Sequence, residues 1–304
     1  MGTRRLAVLL AFIVATGLVA CSRPAAPSGG KPTVRIGSTN FPEQLVLAEL
    51  YGQVLEANGY SVERHLNLGT REIVAPALES GQIDMYPEYL ATYLTFVTKD
   101  PSKASSDPAA TQRALQDALQ PKGITVLNYA PAVDTNGLVV TSNTATRDNI
   151  SRVSDLVRFN DQFVLGGPPE CPDRPFCLPG FASTYGLRFK EFKALDAGGP
   201  LTVTALKDSQ VDVAVLFTTD ARIQTEGFVL LEDDKHLQLA DNVAPVVRND
   251  LLSKASADFK DLVNAVSAKV TTQELTGLNK QVGVDKKDAK DVAAAWLKTN
   301  GLTR

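Results

Sequence analysis

The chain has 304 residues, 44% of them hydrophobic and 21% charged, with 31 Lys and Arg against 34 Asp and Glu for a formal net charge of −3. That length suits two domains of roughly 100–150 residues, each large enough for a real core. The mild acidity, with no basic patch or basic repeat, excludes nucleic acid as an expected partner.

The first stretch, "MGTRRLAVLLAFIVATGLVACS", sets Arg4 and Arg5 before an apolar run at 6–14. The run is too short to span a bilayer and reads as a secretory signal. It closes on Leu18, Val19, Ala20 and Cys21, which resembles the bacterial lipobox. That resemblance implies cleavage before Cys21 and lipidation of its thiol; the alternative is an ordinary signal peptide that happens to contain a cysteine. Residues 1–21 are therefore expected to be a lipoprotein signal peptide, and "SRPAAPSGGKP" (22–32) a flexible linker, since its Pro, Gly, Ser and Ala cannot pack. Removing 1–21 takes away Arg4 and Arg5 and no acid, leaving a balance of −5.

Strands and helices then alternate. "TVRIGS" (33–38) reads as a strand and "PEQLVLAELYGQVLEANG" (42–59) as a helix with an Asn-Gly stop. "YSVERHLNL" is a second strand, "TREIVAPALESG" a second helix and "QIDMY" a third strand. "PEYLATYLTFV" is predicted helical, with Pro87 in its first turn. A loop over 98–110 leads to a helix over 111–123 and the strand "ITVLNY". The same grammar restarts at "GLVVTS" (137–142) and runs through "FVLGG", "PLTVTALKDSQ", "VDVAVLF" and "FVLLEDD". After "APVVRNDLL" the chain is expected to be helical to its end. Strands spaced by helices in this way predict βαβ units, a parallel sheet in each half, and an α/β protein of two lobes with a ligand cleft between them.

Setting Cys21 aside leaves Cys171 and Cys177 in "PECPDRPFC", an even, closely spaced pair in an exported chain that reads as one disulfide pinning a Pro-rich loop. The only histidines, His65 and His236, lie far from that pair, so no metal is expected. G-x-S-x-G, H-E-x-x-H, a Walker loop and a dinucleotide fingerprint are all missing from the sequence, and an enzyme reading has no support. The segment 81–94 gathers Tyr86, Tyr89 and Tyr93 from a chain with seven tyrosines. Such density suits either core packing or a surface for a cationic group.

"IGSTNFPEQ", "LNLGTREIVAPALESGQIDMYPEYLATY" and "VDVAVLFTTDARI" resemble the glycine betaine, choline and proline-type osmoprotectant-binding proteins of ABC importers, and the cysteine loop resembles the OsmF/YehZ-like branch. The resemblance spans nearly the whole chain beyond the signal. It implies a type II periplasmic-binding-protein fold with lobe 1 at 33–134 plus 243–304, lobe 2 at 135–242, and hinges near 133–136 and 238–244. It also implies a monomer without cofactors, held at the extracytoplasmic face of a membrane through Cys21 and serving permease and ATPase subunits.

Family members hold a trimethylammonium head among aromatic rings, and carboxylate-bearing ligands also meet Arg or hydroxyl donors. Carried over by motif, Tyr89 and Thr92 fall on the family's Tyr-x-x-Thr, Phe217 on the tyrosine before its Thr-Asp, Arg174 on its loop arginine, and Gln44 on the glutamine of its first helix. Asn136 stands where part of the family has a box tyrosine, Thr202 or Val203 where another tyrosine is expected, and Thr39 where some members have a lysine. Tyr86 and Tyr93 are assigned to packing or to support behind the ligand contacts. Two box rings, Tyr89 and Phe217, leave two ligand classes open: a compatible solute of the glycine betaine, choline, carnitine and proline class, or an uncharged polyhydroxylated or phenolic molecule. A surface sensor or a secreted enzyme on the same fold is the third reading.

Overall fold

The computed structural model describes residues 30–304. The signal segment, Cys21 and most of the expected linker lie outside the described residues. Two five-stranded sheets form the framework. The first has the order β2-β1-β3-β10-β4, from β1 Thr33–Gly37, β2 Ser61–His65, β3 Met85–Tyr89, β4 Ile124–Val126 and β10 Val243–Arg248. The second has the order β7-β6-β8-β5-β9, from β5 Asn136–Thr141, β6 Val164–Gly167, β7 Glu191–Ala194, β8 Val213–Phe217 and β9 Phe228–Leu230.

The sheets are mixed, which corrects the parallel expectation. β1 pairs in parallel with β2 and β3, and β6 with β7 and β8, but β10 is antiparallel to β3 and β4, and β5 to β8 and β9. The antiparallel strands are those that follow each crossover between the sheets. Val243 at the start of β10 pairs with Tyr89 at the end of β3, and Asn136 at the start of β5 pairs with Phe217 at the end of β8. Each returning strand therefore begins at the edge where the parallel strands finish, and must run against them.

Helix α1 (Pro42–Ala57) begins at Pro42, and Phe41 before it is extended at φ −134°, ψ 158°, the backbone favoured ahead of proline. Its buried residues Val46, Leu47, Leu50, Tyr51 and Val54 share a core with Val263, Val266, Leu275, Trp296 and Leu297 of the C-terminal helices, so the tail packs on the first sheet's side. Helix α2 covers Arg71–Glu79 and α3 covers Leu90–Thr98.

The expected first turn of α3 is in fact strand. Pro87 lies inside β3 and is paired with Pro245 of β10. The Pro245 carbonyl accepts from the Leu127 N–H at 2.9 Å, so the backbone polar side of Pro245 faces β4 rather than β3. The two prolines thus meet at a position without ladder bonds between them, and on the β4 side the Leu127 carbonyl, which Pro245 cannot serve, accepts instead from Gln112 Nε2 at 2.8 Å.

Candidate ligand-binding cleft

A cavity of about 440 Å³ opens along the edge where β1, β3 and β8 end and β5 begins. Open α/β sheets take ligands at this edge. Thr39, Gln44, Tyr89 and Thr92 line it from the first sheet's side, and Asn136, Arg174 and Phe217 from the second's. Seven of the eight expected contacts are therefore brought together.

Thr202 is the exception. It is fully buried in the helix Pro200–Lys207, its hydroxyl donating to Asp196 Oδ1 at 2.8 Å and to the Asp196 carbonyl at 2.9 Å. Asp196 also accepts from the N–H groups of Gly199, Leu201 and Thr202. That carboxylate caps the helix, and Thr202 completes the cap, facing away from the cleft.

The aromatic wall has three rings rather than two. Phe41 lies between the expected pair, 6.3 Å from the Tyr89 centroid at an interplanar angle of 22° and 4.9 Å from Phe217 at 42°. Two strand-to-helix junctions, β1 to α1 and β3 to α3, supply Phe41 and Tyr89 on one side, and the end of β8 supplies Phe217 on the other. Phe41 was visible in "NFPEQ" as an extended aromatic just before a helix-starting proline, three residues ahead of Gln44. Tyr86 and Tyr93 are fully buried and pack edge to face at 6.2 Å, as their assignment to packing requires.

Behind the wall sits Glu43, which the sequence reading passed over. Its Oε1 accepts from the Tyr89 hydroxyl at 2.6 Å, and its Oε2 accepts from Thr219 Oγ1 and Asn279 Nδ2, each at 2.6 Å. Burial raises the Glu43 pKa against these three donors, and burial followed by the Glu43 charge raises that of Tyr89 well above the usual phenol value. Tyr89 therefore stays a donor. Asp134, on the crossover, accepts from Thr219 N at 3.0 Å and Thr218 Oγ1 at 3.2 Å; burial and then the nearby Glu43 push its carboxyl well above the usual range.

The opposite end of the cleft is charged. Arg71 grips Glu88 through two parallel bonds of 2.6 and 2.7 Å and donates to Thr92 Oγ1 at 2.8 Å. Glu88 also accepts from the Tyr86 hydroxyl and the Tyr89 N–H. Thr92 in turn donates its N–H and hydroxyl to Asp241 Oδ1, at 2.9 and 3.2 Å. Burial lifts Asp241 to about 6 despite those bonds and the attraction of Arg71. Thr92 is thus in the cleft but held between two charged neighbours.

Arg174 reaches across the cleft, its Nη2 donating to both oxygens of Glu72 at 2.9 and 3.0 Å. The loop that carries it is closed by the Cys171–Cys177 disulfide. Asn136 donates Nδ2 to the Phe176 carbonyl at 3.1 Å, so its amide holds that same loop in place. Gln44, Thr39, Thr95 and Arg174 line the cleft, and their Nε2, Oγ1, Oγ1 and Nε atoms, respectively, are buried without a hydrogen-bond partner among the described residues. No group of three His, Cys, Asp or Glu among the described residues is placed to hold a metal ion.

Residues 32–299 match the family described as the substrate-binding domain of the ABC-type glycine betaine transport system. The chain belongs to that family. It is 29% identical over 300 residues to the glycine betaine-binding protein YehZ of Escherichia coli K12, covering 95% of this chain and 98% of that one. It is 27% identical over 291 residues to the carnitine transport binding protein OpuCC of Listeria monocytogenes, covering 93% and 92%. A crystal structure described as a glycine betaine/carnitine/choline ABC transporter superposes with a TM-score of 0.71 at 26% identity, covering 88% of this chain and 99% of that one. The chain is a substrate-binding component of an ABC transport system with the two-lobed binding-protein fold, and these matches favour the compatible-solute reading over the neutral, phenolic one.

Proposed function

We propose that this protein captures a quaternary-ammonium compatible solute between its lobes and hands it to a membrane permease driven by an ATPase. The observation that carries the reading is the wall of Phe41, Tyr89 and Phe217, drawn from both sides of one cleft. A methylated ammonium on that wall gains cation–π attraction of about 0.5–1 kcal/mol per exposed ring and about 2 kcal/mol where desolvated. Gln44, Thr39 and Arg174, cleft residues that each keep a buried polar atom unpaired, supply polar contacts to the rest of the ligand. Asn136 and Thr92 act by holding the cleft's shape.

Lobe 1 is assigned to 33–134 and 243–304 and lobe 2 to 135–242. Closure turns on the crossovers near 133–136 and 238–244, which run side by side through a Val133–Asn242 bridge. Cys21, lipidated, anchors the monomeric protein at the extracytoplasmic face. Thermal unfolding of the refolded, ligand-stripped protein tests the reading against glycine betaine, choline, carnitine and proline, with sugars and phenols as controls. A ligand at about 100 times its Kd adds about 2.7 kcal/mol, a clear rise in Tm. A rise with sugars or phenols and none with the ammonium compounds refutes the proposal.

A further inference from the structure

Two arginines line the cleft, and each already holds a carboxylate, but in different ways. The Arg71–Glu88 pair is buried on both sides, with side-chain exposures of 8% and 2%, and is bidentate. Glu88 has two further donors, so this pair is a finished piece of the wall. The Arg174–Glu72 pair is open, with side-chain exposures of 23% and 44%. Both Glu72 oxygens crowd one nitrogen, Nη2, while the Arg174 Nε stays buried and unpartnered. That arrangement lacks the fork-to-fork match that makes guanidinium–carboxylate pairs strong.

Glu72 also comes from the opposite side of the cleft. It sits in the first turn of α2, where a helix N-terminus favours a negative charge. Although partial burial opposes it, hydrogen bonding from Thr70 and the attraction of Arg174 hold the Glu72 carboxyl below its usual range. A ligand carboxylate approaching Arg174 therefore meets a guanidinium that another carboxylate already neutralises. A simple cation such as choline carries no carboxylate and meets no such competitor.

We propose that Glu72 is a specificity-determining residue: an internal carboxylate that occupies Arg174 and biases the cleft against zwitterionic ligands in favour of cations without a carboxylate. The inference rests on the reading of the cleft as a quaternary-ammonium site. It makes Arg174 a donor that a betaine engages by displacing Glu72.

The test is calorimetric titration of glycine betaine and of choline into the stripped protein and into Glu72→Gln, Arg174→Ala and the double variant. Glu72 bridges the two sides of the cleft, so its loss also shifts closure for every ligand. The ratio of the two Kd values cancels that shared effect. The expected result is a ratio moved about threefold or more toward glycine betaine in Glu72→Gln, the scale set by a partly exposed ion pair. The move should vanish when Glu72→Gln is made on the Arg174→Ala background. Arg174→Ala alone should weaken glycine betaine and spare choline.

An unchanged ratio in Glu72→Gln, with Arg174→Ala still selective against glycine betaine, overturns the role of Glu72 and leaves the ammonium site standing. Equal losses of both ligands in Arg174→Ala overturn Arg174 as a carboxylate donor and Glu72 with it. Failure of both ligands to bind the unaltered protein overturns the ammonium reading itself. Glu72→Ala repeats the comparison without an amide in place of the carboxylate.

Discussion

Replacing Asp241 with asparagine should make the ligand-free protein more stable at neutral pH. Asp241 is 3% exposed, lines the cleft, and is lifted by burial to about 6 from an ordinary value of 3.8. Two pKa units correspond to about 3 kcal/mol between the protonation states. The folded pKa lies above the unfolded one, so the folded state prefers the protonated carboxyl. The favourable contribution is complete below about pH 4, falls as pH rises through about 6, and is gone above it. Asparagine mimics the neutral acid: its Oδ1 still accepts from the Thr92 N–H and hydroxyl. Urea unfolding of both proteins at several pH values between 4 and 7.5 isolates this one group, because every other titration cancels in the difference. The variant should match the parent near pH 4 and exceed it by up to about 3 kcal/mol at pH 7.5. Parallel stability curves over that range would refute the reasoning. A bound cation should favour the ionised carboxylate, so choline should bind the parent more tightly at pH 7.5 than at pH 5, and the variant should lose much of that slope.

Phe41→Ala should weaken choline by about 5- to 30-fold, since a desolvated cation–π contact contributes about 1–2 kcal/mol; a calorimetric Kd within a factor of two of the parent would remove Phe41 from the wall. Thr202→Val should lower unfolding free energy by about 1.5–3 kcal/mol, the scale of a hydrogen bond to a charged partner, and leave ligand Kd unchanged, as urea melts and titrations on one sample would show. A changed Kd with unchanged stability would return Thr202 to the site.

The strand and helix grammar was legible because it is local: apolar periodicity and turn residues announced the two α/β halves and the helical tail. Strand direction is not local. Nothing in "GLVVTS" or "APVVRNDLL" distinguishes a strand entering from the cleft edge from one arriving there, so the antiparallel setting of β5 and β10 stayed hidden. Pro87 misled for a similar reason, since proline fits a helix's first turn or a pair without ladder bonds, and Pro245 makes the second choice workable. Among the candidate contacts, Tyr89, Arg174 and Gln44 could be placed by motif. Thr202 was a guess at register in a helix whose inward face is fixed by Asp196. Glu43, Glu88 and Asp241 went unread because acids are mostly solvated, and only packing reveals that these three are buried.

That burial bears on how a small ligand moves two lobes. Contacts cross the cleft at several points, among them Phe41 on Phe217, Glu43 and Asn279 with Thr219, and Glu72 with Arg174. A ligand shifts the balance between open and closed forms only through interactions that differ between them. A methylated cation on Tyr89 alone would bind either form equally. The same cation touching Phe41, Tyr89 and Phe217 gains its last ring only when the lobes meet. Glu43 ties that gain to the framework, because one carboxylate holds the Tyr89 hydroxyl on one oxygen and Thr219 of the opposite lobe on the other. Orienting the ring and seating the lobe are then one event. Three short hydrogen bonds offset part of the desolvation of that buried carboxyl, and the loss of any one donor would raise its cost further.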